Sequence, residues 1–570
     1  MNEPAETFET GEVANGSTEP TLARPVKFVL FAFLIALLVF TKDGAGSWAD
    51  GSRMGTIQAL VEHGTLALDD TDFLWQGDKV FINGHYYSHQ PPMLALVGAV
   101  PYWVLHNVFG RAITDPFTYR ILTWCLVGLP LCLGLLALAR LLRSTGCNAN
   151  WTAVLLASAA FGTLVLPYSL VLQQHGAATG LVLLAFAAIH RRRMLVAGIL
   201  LAFATTIDLT AVFPAICCAW PVLKNAGVNG VVRYGMGALP ALALHFGINL
   251  SLAGDLLPIG LHLESFEYPF SPFMLMSLTG GEQRVGETAA YLWGALLGGS
   301  GFFSHHPITV LAILAGALLL LKRSYASRST LAPGLLTAAA LSSIAIAGYY
   351  LSESRNFGGS AFGMRWFTVF APLLVLFPAV YLGQRSTPVT GHVKLLTGLL
   401  ALWSIGAASL GSVQPWAKFR YFFDQRPDAV IAAQGHIPPN WTEHLKREWF
   451  RVTTFQQEFG EENYQRWFED HIHRAGKLFS MRWDQFDDAQ QSAWHREGLN
   501  KLQAIIDQLD RINDLSGCRV VGHYWLGKLH HLLGERVEAG LSYDRCLALH
   551  SSYGPAIKGR RKLAEEKLGE

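Results

Sequence analysis

Eleven long apolar runs, almost free of charge, fill about half of the first 412 of this chain's 570 positions. They lie near 25–41, 117–139, 152–171, 176–190, 194–209, 210–223, 231–252, 306–321, 332–350, 366–383 and 393–412. Crossing the hydrocarbon core of a bilayer takes roughly 17–25 apolar residues in a helix. Repetition of such runs excludes a water-soluble globule. It also argues against reading Val26–Phe40 as a signal peptide, since that run follows a long acidic leader and no small-residue cleavage site closes it. The charged residues are unevenly divided: 44 of the 86 lie at 413–570 and 42 in the preceding 412 positions. Two composition classes are therefore joined end to end, and neither is a disordered chain or a disulfide-rich secreted domain. A net charge of +2 over this length gives no footprint for nucleic acid.

Charge sidedness orients the runs. With the N-terminus inside, the inner connections hold 14 basic residues, including Arg140, Arg143, Arg191–Arg193, Lys322 and Arg323, against 8 on the other side before residue 413. That is the bias expected of cytoplasmic loops. Beyond the tail, none of the 15 acids of this section falls in an inner loop. The reading is an all-α fold: a polytopic transmembrane helical bundle of about 11 spans at 25–412, after a disordered cytoplasmic tail at 1–24. A soluble α-helical domain at 413–570 follows, placed outside by the odd number of spans. Residues 91–109 are apolar as well, but counting them as a span would put Arg140 and Arg143 outside. A helix lying in the outer interface, with Tyr102 and Trp103 at headgroup level, keeps the charge pattern.

The outer loops at 41–116 and 253–305, and the segment 352–365, carry the polar chemistry. In the first, Gly51–His63 has apolar residues at helical spacing, which predicts a short surface helix with Asp50 at its N-cap. Capping and catalysis are both open readings of that carboxylate. In the third, glycines allow close backbone approach to a ligand, and Arg355 and Arg365 suit an anion such as phosphate. The bland alternative is interfacial snorkelling. Asp208 is the one acid inside a run. An intramembrane carboxylate is costly and usually functional, although interfacial hydration near the outer end of that run competes.

The order Asp50-Gly51-Ser52-Arg53, followed by Asn83-Gly84-His85-Tyr86-Tyr87-Ser88-His89-Gln90-Pro91-Pro92, resembles the GT-C class of membrane glycosyltransferases. The nearest branches are the protein O-mannosyltransferases and the lipid A aminoarabinose transferase. Gly358–Arg365 is similar to the Gly-x-Arg element that bacterial members carry before a late span. The likeness covers roughly 25–412 by architecture, with the motifs in about thirty positions. Two departures stand out: Gly51 replaces a second acid, and Gln90 replaces the Lys before Pro-Pro.

The resemblance implies a multi-pass protein, of the bacterial inner membrane, that transfers a sugar with inversion from a polyprenyl-phosphate donor to a protein, lipid or glycan acceptor at the outer face. It implies Asp50 as general base, and Arg53, Tyr87, His89, Gln90, Arg120 and Arg365 around the donor phosphate and sugar, with Asp208 and Arg355 as additional candidates. With the usual Lys absent, positive charge for the leaving phosphate must come from His89, Arg53, Arg120 or Arg365. A lipid monophosphate donor calls for no metal and no cofactor. A transporter would place its ionisable groups at the bilayer midplane, whereas these acids lie in outer loops. A non-catalytic scaffold is kept open by Gly51 and Gln90.

In the soluble section, Leu526, Gly527, His530, Gly534, Ala539, Tyr543 and Cys546 fall at the spacing of a tetratricopeptide repeat over about 520–553. One repeat cannot bury its own face, so it is expected to pack on helices at 480–515. It would either dock a protein partner or form a small helical domain without one. If this section is external, Cys518 and Cys546 could pair.

Overall fold

The computed structural model describes residues 22–74, 76–266, 288–322, 329–353, 357–358, 361–385, 387–416, 472, 476, 479–480, 482, 487–509 and 516–568. Helix occupies most of each apolar run, although the run 152–171 is split between the helices Ala149–Phe161 and Val165–Ser169. Four helices are long and apolar enough to cross a membrane: Pro116–Ser144, Leu209–Ala253, Leu335–Ser352 and Gly391–Val413. Shorter apolar helices, among them Ala149–Phe161, Gln174–His190 and Met194–Ile207, pack with them. This is a mostly helical membrane protein.

The longest of these helices is not straight. At Gly227 the backbone takes φ 62° and ψ −162°, a region open to glycine and closed to side chains bearing Cβ. Tyr234 Oη donates to Ala215 O at 2.7 Å. In a continuous helix those residues would be nearly 30 Å apart at about 1.5 Å per residue, so the chain folds back on itself there. Close packing elsewhere depends on small residues. A Cβ on Gly134 would lie 2.8 Å from Gly180 Cα, so glycines on both helices let Pro116–Ser144 and Gln174–His190 approach backbone to backbone, as small residues do in membrane helix pairs.

The all-α expectation needs one amendment. Two short antiparallel strands, β1 (Lys79–Ile82) and β2 (His85–Ser88), form a hairpin in the first loop, pairing Lys79 with Ser88 and Val80 with Tyr87. Asn83 and Gly84 both have positive φ, 51° and 89°, as a two-residue Asn-Gly turn requires. That dipeptide was the available signal. Residues 91–109 form the helix Met93–Phe109. It packs beside the first-loop helix, with Tyr102 Oη donating to Glu62.

The last described helices are Asp488–Leu509, Ser516–Leu532, Arg536–Leu549 and Gly554–Leu568. Phe479, Leu502 and Ile506 bury against Trp525, Leu526 and Leu529. Tyr543 fills the space left by Gly527, where a Cβ would come within 2.6 Å of its ring. Cys546 is a free thiol and donates to Val520 O at 3.1 Å. The Cys518 side chain, the other half of the pairing allowed by composition, lies outside the described residues.

Candidate functional site

The first-loop helix runs Trp48–Gln58, and its N-cap is Ser47, not Asp50. Ser47 Oγ accepts from Asp50 N at 3.1 Å. Asp50 is the third helical residue, and its Oδ2 reaches back to Gly46 N at 3.3 Å. Ser47 Oγ and Asp50 Oδ2 thus cap two different backbone N–H groups, those of Asp50 and Gly46, which engages only one carboxylate oxygen.

Asp50 is fully buried, and helices far away in sequence supply the rest of its surroundings. Tyr119 Oη donates to Oδ2 at 3.2 Å and itself accepts from Leu172 N at 3.0 Å. Trp416 Nε1 donates to the same oxygen at 3.1 Å. Oδ1 has no hydrogen-bond partner among the described residues; Arg53 Nη1 is its nearest cation, at 3.9 Å. Burial drives the Asp50 carboxyl up from 3.8 to about 6, with Arg53 and the hydrogen bonds opposing it. Desolvation favours the neutral acid and outweighs one guanidinium at that distance. A carboxylate that titrates near neutral pH with one oxygen uncommitted is equipped to take a proton.

Arg53 is buried, and its donors are already engaged. Nη1 donates to Ala49 O at 2.9 Å and Leu172 O at 3.2 Å, and Nη2 to Gln90 Oε1 at 2.8 Å. Gln90 follows from the hairpin, which Ser52 anchors through Asp78 O at 2.7 Å and Ser88 Oγ at 2.5 Å. An amide suits position 90 because its oxygen accepts from Arg53 and from Gln174 (3.3 Å). Its nitrogen lies 2.8 Å from His89 Nε2 and 3.4 Å from Asp78 Oδ2. The His89 ring meets Phe266 edge-on at 5.9 Å.

Arg365 differs from Arg53. Its guanidinium lies over the Trp416 ring with Cζ 5.5 Å from the centroid, and its buried Nε has no hydrogen-bond partner among the described residues. Gly358, at φ 92°, leaves room for the arginine stem; a Cβ there would stand 3.2 Å from Arg365 Cγ. Arg365 lies near enough to Arg53 to repel it.

The remaining candidates disperse. Arg120 is ion-paired with Asp43. Tyr87 is half-buried on β2, and its phenol is pushed up by burial and by Asp69, which places it on the Asp69 side of the hairpin. Asp208 is fully used: Oδ1 accepts from Thr210 N at 3.1 Å and Thr210 Oγ1 at 2.7 Å, and Oδ2 pairs with His175. Arg355 lies outside the described residues. Sequence reasoning missed Tyr119, Trp416 and His175. It also missed Gln76, a buried amide beside Gly51 with no hydrogen-bond partner among the described residues. His175 falls in the short polar gap between the runs 152–171 and 176–190, and nothing local marked Trp416.

A cleft of about 480 Å³ adjoins the site. Ala36, Val39 and Leu170 form apolar wall, Lys42, Asp43 and Arg120 polar wall, and Trp416 stands between it and Asp50. Among the described residues no group of three His, Cys, Asp or Glu side chains gathers as a metal site would require. No family model and no curated protein sequence matches the chain.

Proposed function

We propose that this chain is a multi-pass membrane glycosyltransferase that moves a sugar from a polyprenyl-phosphate donor to an acceptor, with inversion. The carrying observation is Asp50: a buried carboxylate with one oxygen anchored and the other, among the described residues, without a hydrogen bond, and near by a guanidinium nitrogen of Arg365 that is likewise without one. In this reading Oδ1 takes the proton of the acceptor hydroxyl as its oxygen attacks the anomeric carbon. The bond to the phosphate oxygen breaks, and Arg365 stabilises the charge left on the leaving phosphate. Arg53 and Gln90 hold the hairpin against the base. The cleft, with apolar and polar walls, suits a substrate with a hydrocarbon chain and a polar head.

The proposed topology has eleven crossings, with the hairpin at Gly227 contributing two. It places the N-terminus in the cytoplasm of a bacterium and residues 413–570 outside, with a tetratricopeptide-like pair of helices available to a protein partner. An impermeant thiol reagent tests the sidedness. Val537, 72% exposed, replaced by Cys should label in intact cells; protection would reverse it.

The direct test incubates membranes containing the protein with radiolabelled polyprenyl-phosphate sugars, wild type against Asp50→Asn. Transfer by wild type and its loss in the variant is the expected result. Transfer that survives Asp50→Asn removes Asp50 as base. A second reading, a scaffold without activity, is favoured by the commitment of Arg53 to Ala49, Leu172 and Gln90 and the pairing of Arg120 with Asp43. Absence of transfer from every donor would select it.

A further inference from the structure

Trp416 is the residue through which the end of the Gly391–Val413 helix enters the site. Its segment is clamped by backbone: Phe362 N donates to Pro415 O at 2.9 Å, and Tyr168 Oη donates to Phe362 O at 2.7 Å and lies 3.5 Å from Pro415 O. The Tyr168 ring packs on the indole at 5.9 Å. Three faces of the indole are then occupied at once. Its N–H meets Asp50 Oδ2 at 3.1 Å, its ring carries the Arg365 guanidinium at 5.5 Å, and its edge walls the cleft. Gly46 shows how closely the ring is seated, since a Cβ there would lie 2.6 Å from Trp416 Cδ1.

We infer that Trp416 is a positioning residue of the proposed reaction: one indole holds Asp50 by its N–H and Arg365 by its ring, and so sets the distance between base and phosphate-binding cation. The inference rests on the glycosyltransferase reading for its purpose, but on geometry for the contact. An N–H donated to an ionised carboxylate favours the charged form. A guanidinium over an indole face is attracted to it. A residue that only filled space would need neither the N–H nor the orientation. The charged and titratable groups that face Asp50 are Arg53 from its own helix and Tyr119 from Pro116–Ser144. Asp78, Asp208 and Arg365 act on Arg53.

Three variants separate the functions of the ring. Trp416→Phe keeps an aromatic face and removes the N–H. Trp416→Leu removes both, and Gly46→Ala pushes the indole aside while leaving its chemistry intact. In Trp416→Phe, kcat should fall about tenfold, and the acid limb of the pH profile should move up by about one unit, with donor KM little changed. Trp416→Leu should add a rise of about two- to fivefold in donor KM. Gly46→Ala should resemble Trp416→Phe.

A readout independent of transfer uses purified full-length protein. The tryptophan emission of wild type minus that of Trp416→Phe is followed from pH 4.5 to 8. It should titrate, and the titration should vanish when both proteins carry Asp50→Asn. A Trp416→Phe enzyme with the wild-type kcat and pH profile overturns the positioning role. So does a difference emission that does not titrate, or that titrates equally without Asp50. An Asp50-dependent titration in protein that transfers no sugar supports the coupling, and there only the glycosyltransferase reading fails.

Discussion

Two buried acids, Asp50 and Asp208, stand at the N-terminal turns of helices and are used in opposite ways. Asp208 has both oxygens occupied, one by Thr210 and one by His175. Asp50 gathers Gly46, Tyr119 and Trp416 on one oxygen and leaves the other without a hydrogen bond among the described residues. Burial is common to both. Satisfaction is not: a fully paired buried acid holds its neighbours in place, whereas an unpaired buried oxygen carries a desolvation cost, and the proposed role of Asp50 as base rests on that difference.

The comparison is broken most severely at Asp50. Asp50→Asn should lower transfer by about 10²–10⁴-fold, measured as kcat/KM on membranes, while the protein still folds. The sign of its pH dependence follows from the folded value of about 6 against 3.8 for the free group. If Asp50 is the base of the proposed reaction, it is ionised mainly above about 6, so transfer should rise between pH 5 and 7. For stability the direction reverses. Folded Asp50 binds its proton more tightly than the unfolded chain does, so its contribution is present at low pH and lost as pH rises through about 6. Asp50→Asn should therefore raise the melting temperature at pH 8 and leave it unchanged at pH 4.

Asp208→Ala should act the other way round. Removing one partner of a buried pair costs about 3–5 kcal/mol, read as a large fall in melting temperature, with transfer per folded molecule preserved. If Asp208→Ala is stable but inactive, the two acids have been assigned to the wrong roles. Arg365→Ala should reduce kcat by about 10²–10³-fold, as loss of one preorganised donor to a developing charge does. The smallest effect belongs to Arg120→Ala. A partly exposed ion pair contributes about 0–1 kcal/mol, so stability and transfer should change little. A hundredfold loss there would make Arg120, not Arg365, the phosphate cation.

The first loop shows how far local pattern reaches. The helix after Asp50, its glycine and Arg53 were legible because they lie within a few residues. The N-cap was misplaced by three positions because Ser47 is an equally good cap and only geometry decides between them. The hairpin was announced by Asn83-Gly84 and passed over. For the phosphate, four cations were open. In the structure they differ in what they already bind, which composition does not record, and the proposal of Arg365 rests on that difference.

What the sequence alone determined is the set of apolar helices and the crowding of acids into the connections between them. Both follow from local hydropathy, because each helix satisfies its own backbone polar groups. What only tertiary structure decided is which side chains meet at the end of those helices. Tyr119 and Trp416 reach Asp50 from 69 and 366 positions away, and His175 reaches Asp208 from 33. The physical reason is that such meetings depend on how helices rotate and cross, which is set by close packing at points such as Gly134 and Gly180. The period of any single run carries no information about its partner.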